Sequence, residues 1–198
     1  MKIGFTGAHS SGKTSLARFV ADRYSLNNLS NFVLSHFSPK HGFPENTEQC
    51  QNLLLGCWQE TVSERTNLVI DRTPLDMFIY AHIFKCCPPD YLSKVLESLS
   101  FLDYIFITQP VVYVDGQKYR YDEKSQSQYQ RLMTLTLGRT FGLLTQDNGK
   151  DLCVKSFRYR NKVFRLAVLP PVSLMELKSQ VRIFLDKIYV NKKEGKVI

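Results

Sequence analysis

The sequence predicts an α/β protein of three layers: a mainly parallel sheet of about five strands with helices on both faces. Three observations carry this. Short apolar runs alternate with longer segments of helical periodicity from one end of the chain to the other. Leu68-Val69-Ile70 and Tyr104-Ile105-Phe106-Ile107 are apolar at successive positions, as strands covered on both faces are. The first run, Lys2-Ile3-Gly4-Phe5-Thr6, leads through a glycine-bounded loop into a helical repeat formed by Leu16, Phe19 and Val20. With 198 residues, 43% of them hydrophobic, a single domain over 1–198 is expected.

Lys2 to Thr6 is the first strand and Leu16 to about Tyr24 the first helix. Asn27 to Asn31 reads as polar turn, and Phe32-Val33-Leu34 as a short second strand. Pro39 to Pro44 is a loop rich in breakers. Asn46 or Thr47 can cap a long helix with Leu53, Leu54, Cys57, Trp58, Thr61 and Val62 on one broad face. The strand Leu68-Val69-Ile70 ends at Asp71, and Thr73 then caps a helix with Pro74 at its first position. Asp76 falls in the first turn, where negative charge suits the helix dipole, and Met77, Tyr80, Ala81 and Phe84 follow. Pro89 to Ser98 is a short helix, Tyr104 to Ile107 a strand, and Asp122 to about Leu144 a long helical stretch. Gln146 to Gly149 is a turn and Cys153 to Arg160 is strand or loop, so that 145–162 reads as an insertion without a place. Phe164 to Leu169 is the last strand, ended by Pro170-Pro171. Ser173 caps a closing helix to about Ile188, with Leu174, Leu177, Val181, Phe184 and Leu185 inward.

The loop after the first strand is Gly7-Ala8-His9-Ser10-Ser11-Gly12-Lys13-Thr14, which meets the P-loop pattern G-x-x-x-x-G-K-S/T at every fixed position. Gly7 and Gly12 let the backbone turn so that N–H groups point at phosphate oxygens. Lys13 reaches the β- and γ-phosphates, and the Thr14 hydroxyl can ligate Mg²⁺. Strand, glycine loop and helix N-terminus in this order add the helix dipole to the same task. Gly7, His9, Ser10, Ser11, Gly12, Lys13, Thr14 and Ser15 are therefore the expected residues binding a nucleoside triphosphate, in a P-loop NTPase fold.

Asp71-Arg72-Thr73-Pro74-Leu75-Asp76 is the second informative stretch. Parallel sheets bind ligands at the carboxyl ends of their strands, so the loops begun by Gly7, Asp71 and Gln109-Pro110 should converge. An acid there can hold the Mg²⁺ shell through water or take a proton from an attacking hydroxyl. Arg72 can clamp a phosphate or another polar group of an acceptor. A plain strand-end ion pair beside a helix cap is the alternative.

The P-loop GAHSSGKTS, the segment DRTPLDMFIYA, and the helix between them with Gln51 and Glu60 resemble the small P-loop kinases of the nucleoside and nucleotide kinase group. Within that group the chain resembles the ATPase/kinase-like domains found in phages and in ribosylnicotinamide kinase. The resemblance spans roughly residues 1–135. It implies an ATP-dependent phosphotransferase acting on a nucleoside or nucleotide, with a (deoxy)nucleoside monophosphate favoured. It implies that Asp71 is a general base or magnesium-shell ligand and that Arg72 contacts the acceptor. It also implies an arginine-bearing lid over 111–131, with Arg120 as its foremost candidate and Lys118 and Arg131 behind it. Lys13, Asp71, Arg72 and Arg120 are then the catalytic set. The loop Leu169-Pro170-Pro171 would pack near adenine. The family's second-strand carboxylate has no counterpart, since that place reads Leu34-Ser35-His36.

The net charge of +8 favours anionic ligands and leaves nucleic acid open as a partner. Arg158, Arg160 and Lys162 alternate at strand spacing and could line a polynucleotide backbone, or merely guard an exposed hairpin edge. Kinase action on a polynucleotide hydroxyl, such as a 5′ end or a modified base, is thus a second reading. A nucleotide-dependent switch without an acceptor is a third. Five cysteines without C-x-x-C pairs read as reduced thiols, with Cys50 and Cys57 as small core residues. No apolar run approaches the roughly 20 residues of a membrane span, and a soluble, cytoplasmic protein is expected.

Overall fold

A computed structural model describes residues 1–8, 11–29, 47–109, 123–143 and 152–193. Its strands are β1 (Lys2–Gly7), β2 (Asn27–Leu29), β3 (Leu68–Asp71), β4 (Tyr104–Thr108), β5 (Cys153–Tyr159) and β6 (Lys162–Val168). Its helices are α1 (Lys13–Tyr24), α2 (Glu48–Ser63), α3 (Pro74–Ile83), α4 (Tyr91–Leu99), α5 (Glu123–Phe141) and α6 (Leu174–Lys193). The strands form one sheet in the order β2-β3-β1-β4-β6-β5. All neighbours are parallel except β5 and β6, which pair antiparallel as a hairpin. β1 lies in the middle, with Phe5 opposite Asp71 on one side and Phe106 on the other. The P-loop therefore leaves the sheet between the ends of β3 and β4.

Alternation of side chains along the strands divides the core between two faces. Ile3, Phe5, Val69 and Phe106 pack with Leu16, Val20, Leu177, Val181 and Leu185 of α1 and α6. The Phe5 and Phe106 rings stack at 5.2 Å. Leu68, Ile70, Ile105, Ile107 and Leu166 pack on the other face with α2, α3, α4 and α5. This is the three-layer P-loop NTPase architecture expected.

Among the described residues the sheet has six strands, in keeping with the about five expected. Several expectations change. Asn27–Leu29 is a strand rather than a turn, because it continues the sheet by parallel pairing with Leu68, Val69 and Ile70; its own side chains stay largely exposed. The expected strand at Phe32-Val33-Leu34 lies outside the described residues. Part of the unplaced stretch is β5, the outer strand of the hairpin. Thr47, not Asn46, caps α2, its side chain accepting from the Cys50 N–H. The buried stripe of α2 runs through Gln51, Leu54, Leu55, Trp58 and Val62. Leu53 lies about 200° around the helix from Leu55 and is 61% exposed. Cys50 and Cys57 are half-buried rather than core residues. Leu174 is exposed as well, since it sits at the first turn of α6 beside Gly12 and not beneath the sheet. Arg158 and Lys162 do not share a strand: the β5–β6 turn falls at Arg160, whose φ is 51°, and Arg160 is engaged with Glu97 at 2.9 Å.

Candidate active site

Gly7 ends β1 with φ 144°, and a Cβ there would stand 2.3 Å from the Thr108 carbonyl oxygen, so the close crossing of the loop over β4 requires glycine. Gly12 sits at φ 84° as the N-cap of α1 and brings no side chain to the cap. The first N–H groups of α1, at Lys13, Thr14 and Ser15, thus face the loop without a side-chain cap, the arrangement that receives an anion. Between these glycines, Ser11 Oγ donates to the Ala8 carbonyl at 2.8 Å and lies 2.6 Å from Thr108 Oγ1. Thr108 Oγ1 donates to the Thr6 carbonyl at 3.0 Å. The end of β4 therefore braces the loop from below.

Lys13 is 5% exposed, and its Nζ donates to the Ala8 carbonyl at 2.5 Å and to Ser11 Oγ at 3.4 Å. The ammonium is folded back into the loop's own concavity, engaged with the loop's own oxygens. His9 and Ser10 lie outside the described residues. Ser15 is on the exposed side of the first turn of α1.

Asp71 arrives at this loop from β3. Thr14 Oγ1 donates to Asp71 Oδ2 at 2.5 Å. Asp71 is 5% exposed, and its Oδ1 has no hydrogen-bond partner among the described residues. A buried carboxylate oxygen left open costs free energy unless a ligand, ion or water meets it. That open oxygen beside the Thr14 hydroxyl fits a Mg²⁺ shell, which takes few protein oxygens and keeps several waters. Among the described residues no group of three or more His, Cys, Asp or Glu could hold a metal ion.

Arg72 follows with φ 81°, a left-handed conformation uncommon outside glycine. Its N–H donates to the Phe5 carbonyl at 2.9 Å, so it closes the β1–β3 ladder, and the chain must then turn sharply into the Thr73 cap. The turn sets the guanidinium 5.7 Å from the centre of the Tyr80 ring. Burial opposes its charge, but Tyr80, Asp76 and Asp71 outweigh that and hold its pKa above the ordinary guanidinium value. Arg131 is exposed on α5. Arg120 and Lys118 lie outside the described residues.

A family model described as an AAA domain matches residues 2–143. The chain belongs to this AAA-domain family. No curated protein matches it in sequence. Among solved structures the AAA-domain chain is similar to the YorR protein of Bacillus subtilis in complex with phosphorylated GDP. The TM-score is 0.58 at 12% identity, over 96% of this chain and 98% of that one. It is similar to deoxyadenosine kinase from M. mycoides with products dCMP and dCDP, with TM-score 0.58 at 12% identity over 95% and 100%. It is also similar to the NadR protein in complex with NR, with TM-score 0.56 at 15% identity over 75% of this chain. It spans only 46% of that NadR chain. At such identities the likeness is one of fold, and it agrees with the P-loop kinase-like architecture read from the sequence. Among the described residues of this AAA-domain chain, no helix is long and apolar enough to cross a membrane.

Three residues around the loop escape a reading of the sequence. Asp76 is legible only as a first-turn acid of α3, yet its carboxylate accepts from Thr6 Oγ1 at 2.6 Å and from the Gly7 N–H at 3.2 Å. The spacing Thr73-x-x-Asp76 is the available signal, since it forms a capping box in which the Thr73 N–H donates to Asp76 Oδ2 at 2.8 Å. Thr108 and Tyr129 give no signal of their own.

Proposed function

We propose that this chain is an ATP-dependent phosphotransferase that moves the γ-phosphate to a nucleoside or nucleotide, with a (deoxy)nucleoside monophosphate as the favoured acceptor. The observation that carries the reading is the Thr14–Asp71 hydrogen bond, which joins the phosphate loop to a second strand end bearing an acid and an arginine. A phosphate cradle alone serves any nucleotide-binding protein. A buried carboxylate joined to that cradle through one oxygen, with the other unpartnered among the described residues, suits transfer to a second substrate. The kinase fold of the neighbouring structures supports the same reading.

In this mechanism the loop N–H groups and the N-terminus of α1 bind the polyphosphate, and Lys13 turns its ammonium from the Ala8 carbonyl to the β- and γ-phosphates. Thr14 Oγ1 would hold Mg²⁺ directly and Asp71 through water; bound there, the ion neutralises phosphate charge. Asp71 orients the acceptor hydroxyl and accepts its proton, and Arg72 positions the acceptor. Arg120 supplies positive charge to the transferred group. The chain does little covalent chemistry: it positions two anions and stabilises the charge between them.

The test is transfer of label from γ-labelled ATP to a panel of nucleosides, nucleoside monophosphates and a 5′-hydroxyl oligonucleotide. A labelled monophosphate or diphosphate product is expected. Label on the oligonucleotide alone would move the function to nucleic acid, and release of phosphate without any acceptor product would refute transfer.

A further inference from the structure

Asp76 is 1% exposed and closes the DRTPLD stretch, where its place in the sequence shows only a first-turn acid of α3. Its Oδ2 accepts from Thr6 Oγ1 at 2.6 Å and from the Thr73 N–H at 2.8 Å. Its Oδ1 accepts from the Gly7 N–H at 3.2 Å and from the Tyr129 hydroxyl at 2.7 Å. A carboxylate has about four lone-pair sites, and here donors from β1, the α3 cap and α5 meet all of them. Gly7 is the first residue of the phosphate loop. Fixing its N–H fixes the Thr6–Gly7 peptide, two peptide units before the one whose Ala8 carbonyl holds Lys13 Nζ.

We propose that Asp76 is the positioning residue of the phosphate loop and that Tyr129 ties α5 to the loop through it. This deepens the phosphotransferase reading and rests on it. Tyr129 is 1% exposed, and its ring packs 5.1 Å from Tyr80, the ring that lies under Arg72. One helix thus touches both halves of the site: the phosphate loop through Asp76 and the arginine through Tyr80. Burial pushes the Tyr129 phenol well above its ordinary pKa, and the neighbouring Asp76 charge adds to that, so the hydroxyl stays a donor.

The hydrogen-bond pattern makes Asp76→Asn informative. An amide presents one oxygen and one NH₂ group. The hydroxyls of Thr6 and Tyr129 can rotate to accept from the NH₂, but the backbone N–H groups of Gly7 and Thr73 cannot. In either amide orientation one of those N–H groups loses its acceptor.

The experiment measures the dissociation constant for Mg·ATP and the thermal midpoint of the full chain, its Tyr129→Phe and Asp76→Asn variants, and Tyr91→Phe. Tyr91 is an equally buried tyrosine, 1% exposed, whose hydroxyl donates at 3.1 Å to the Gln51 carbonyl, so its loss models a purely structural cost. Tyr129→Phe is expected to weaken ATP binding about fivefold and Asp76→Asn at least about tenfold, from loss of charged hydrogen bonds, with Tyr91→Phe near wild type in affinity. The Tyr129 and Asp76 effects should fall short of additive in the double variant, since they act through one carboxylate. If Tyr129→Phe binds ATP as wild type does, or if all variants lose affinity only in proportion to their midpoints, the inference is wrong. Should Asp76→Asn not fold, the Tyr129 and Tyr91 pair decides it. Failure of the unaltered chain to bind Mg·ATP overturns the phosphotransferase reading and this inference with it, whereas normal transfer by Tyr129→Phe at unchanged ATP affinity removes this inference alone.

Discussion

Thr14 Oγ1 donates to Asp71 Oδ2 at 2.5 Å, across 57 residues of chain. Thr14 ends the glycine-rich loop at the start of α1, and Asp71 ends β3. Parallel pairing of β1 with β3, with Phe5 opposite Asp71, places the two side chains at the same edge of the sheet. Local sequence supplies the two groups, and strand register brings them together.

Asp71→Asn should separate binding from transfer. The asparagine oxygen can still accept from Thr14, so the loop keeps its shape, but the open position at Oδ1 loses its charge and basicity. We expect kcat to fall by about 10²–10⁴-fold, with ATP affinity within about threefold of wild type. Steady-state kinetics beside equilibrium ATP titration would check it, and retention of kcat would remove Asp71 from the chemistry.

Lys13→Ala should instead impair both. The ammonium is buried in the loop and loses its place against the β- and γ-phosphates, where each charged hydrogen bond is worth about 1.5–3 kcal/mol. ATP affinity is expected to fall at least about tenfold, with transfer near background. The thermal midpoint without nucleotide should change little or rise, because the variant no longer buries a charge.

Gly7→Ala tests the crossing of the loop over β4. The added Cβ meets both the carbonyl and the hydroxyl oxygen of Thr108 at 2.3 Å, and the backbone there has φ 144°. Overpacking together with the strained dihedral should cost about 3 kcal/mol or more. For a chain of this size that is a drop of roughly 6–12 °C in the midpoint, measurable by calorimetry. An unchanged midpoint would mean that the loop can leave β4 without loss.

Alkaline pH should weaken the fold through Tyr24. Burial, then the hydrogen bond to Asp186, pushes its phenol up to about 12, from an ordinary value of 10.0. The folded state therefore holds this proton more tightly than the unfolded chain. The corresponding stability is whole below pH 10 and is lost as pH rises from 10 toward 12. Urea unfolding across that window should show a falling stability, and Tyr24→Phe should fall less steeply. Parallel slopes for the two proteins would refute the assignment.

Much of the site is legible locally. The loop from Gly7 to Thr14 and the strand-end pair Asp71-Arg72 declare themselves because their roles depend on neighbours in sequence: glycines for a turn, a cap for a helix, an acid at the end of an apolar run. Asp76 is legible only in part. Its capping role is local, while its hold on Thr6 and Gly7 depends on β1 lying beside α3. The strand Asn27–Leu29 is misread for the same reason: two of its three residues are asparagine, and only pairing with β3 makes them a strand. The apolar face of α2 is misjudged at Leu53 because hydrophobicity marks what can be buried, while the packing of neighbouring helices chooses what is.

The sequence by itself determines that this chain has a parallel sheet between helices, a phosphate-binding loop at the end of its first strand, and an acid-arginine pair at the end of another. Periodicity, caps and glycines are short-range properties, and short range is what a sequence displays. Only the tertiary structure decides that Thr14 meets Asp71, that Thr108 supports the loop, and that Tyr129 reaches Asp76 from a helix far along the chain. Those contacts depend on strand order, register and helix packing, which are set by the burial of the whole core and leave no local mark on the residues they join.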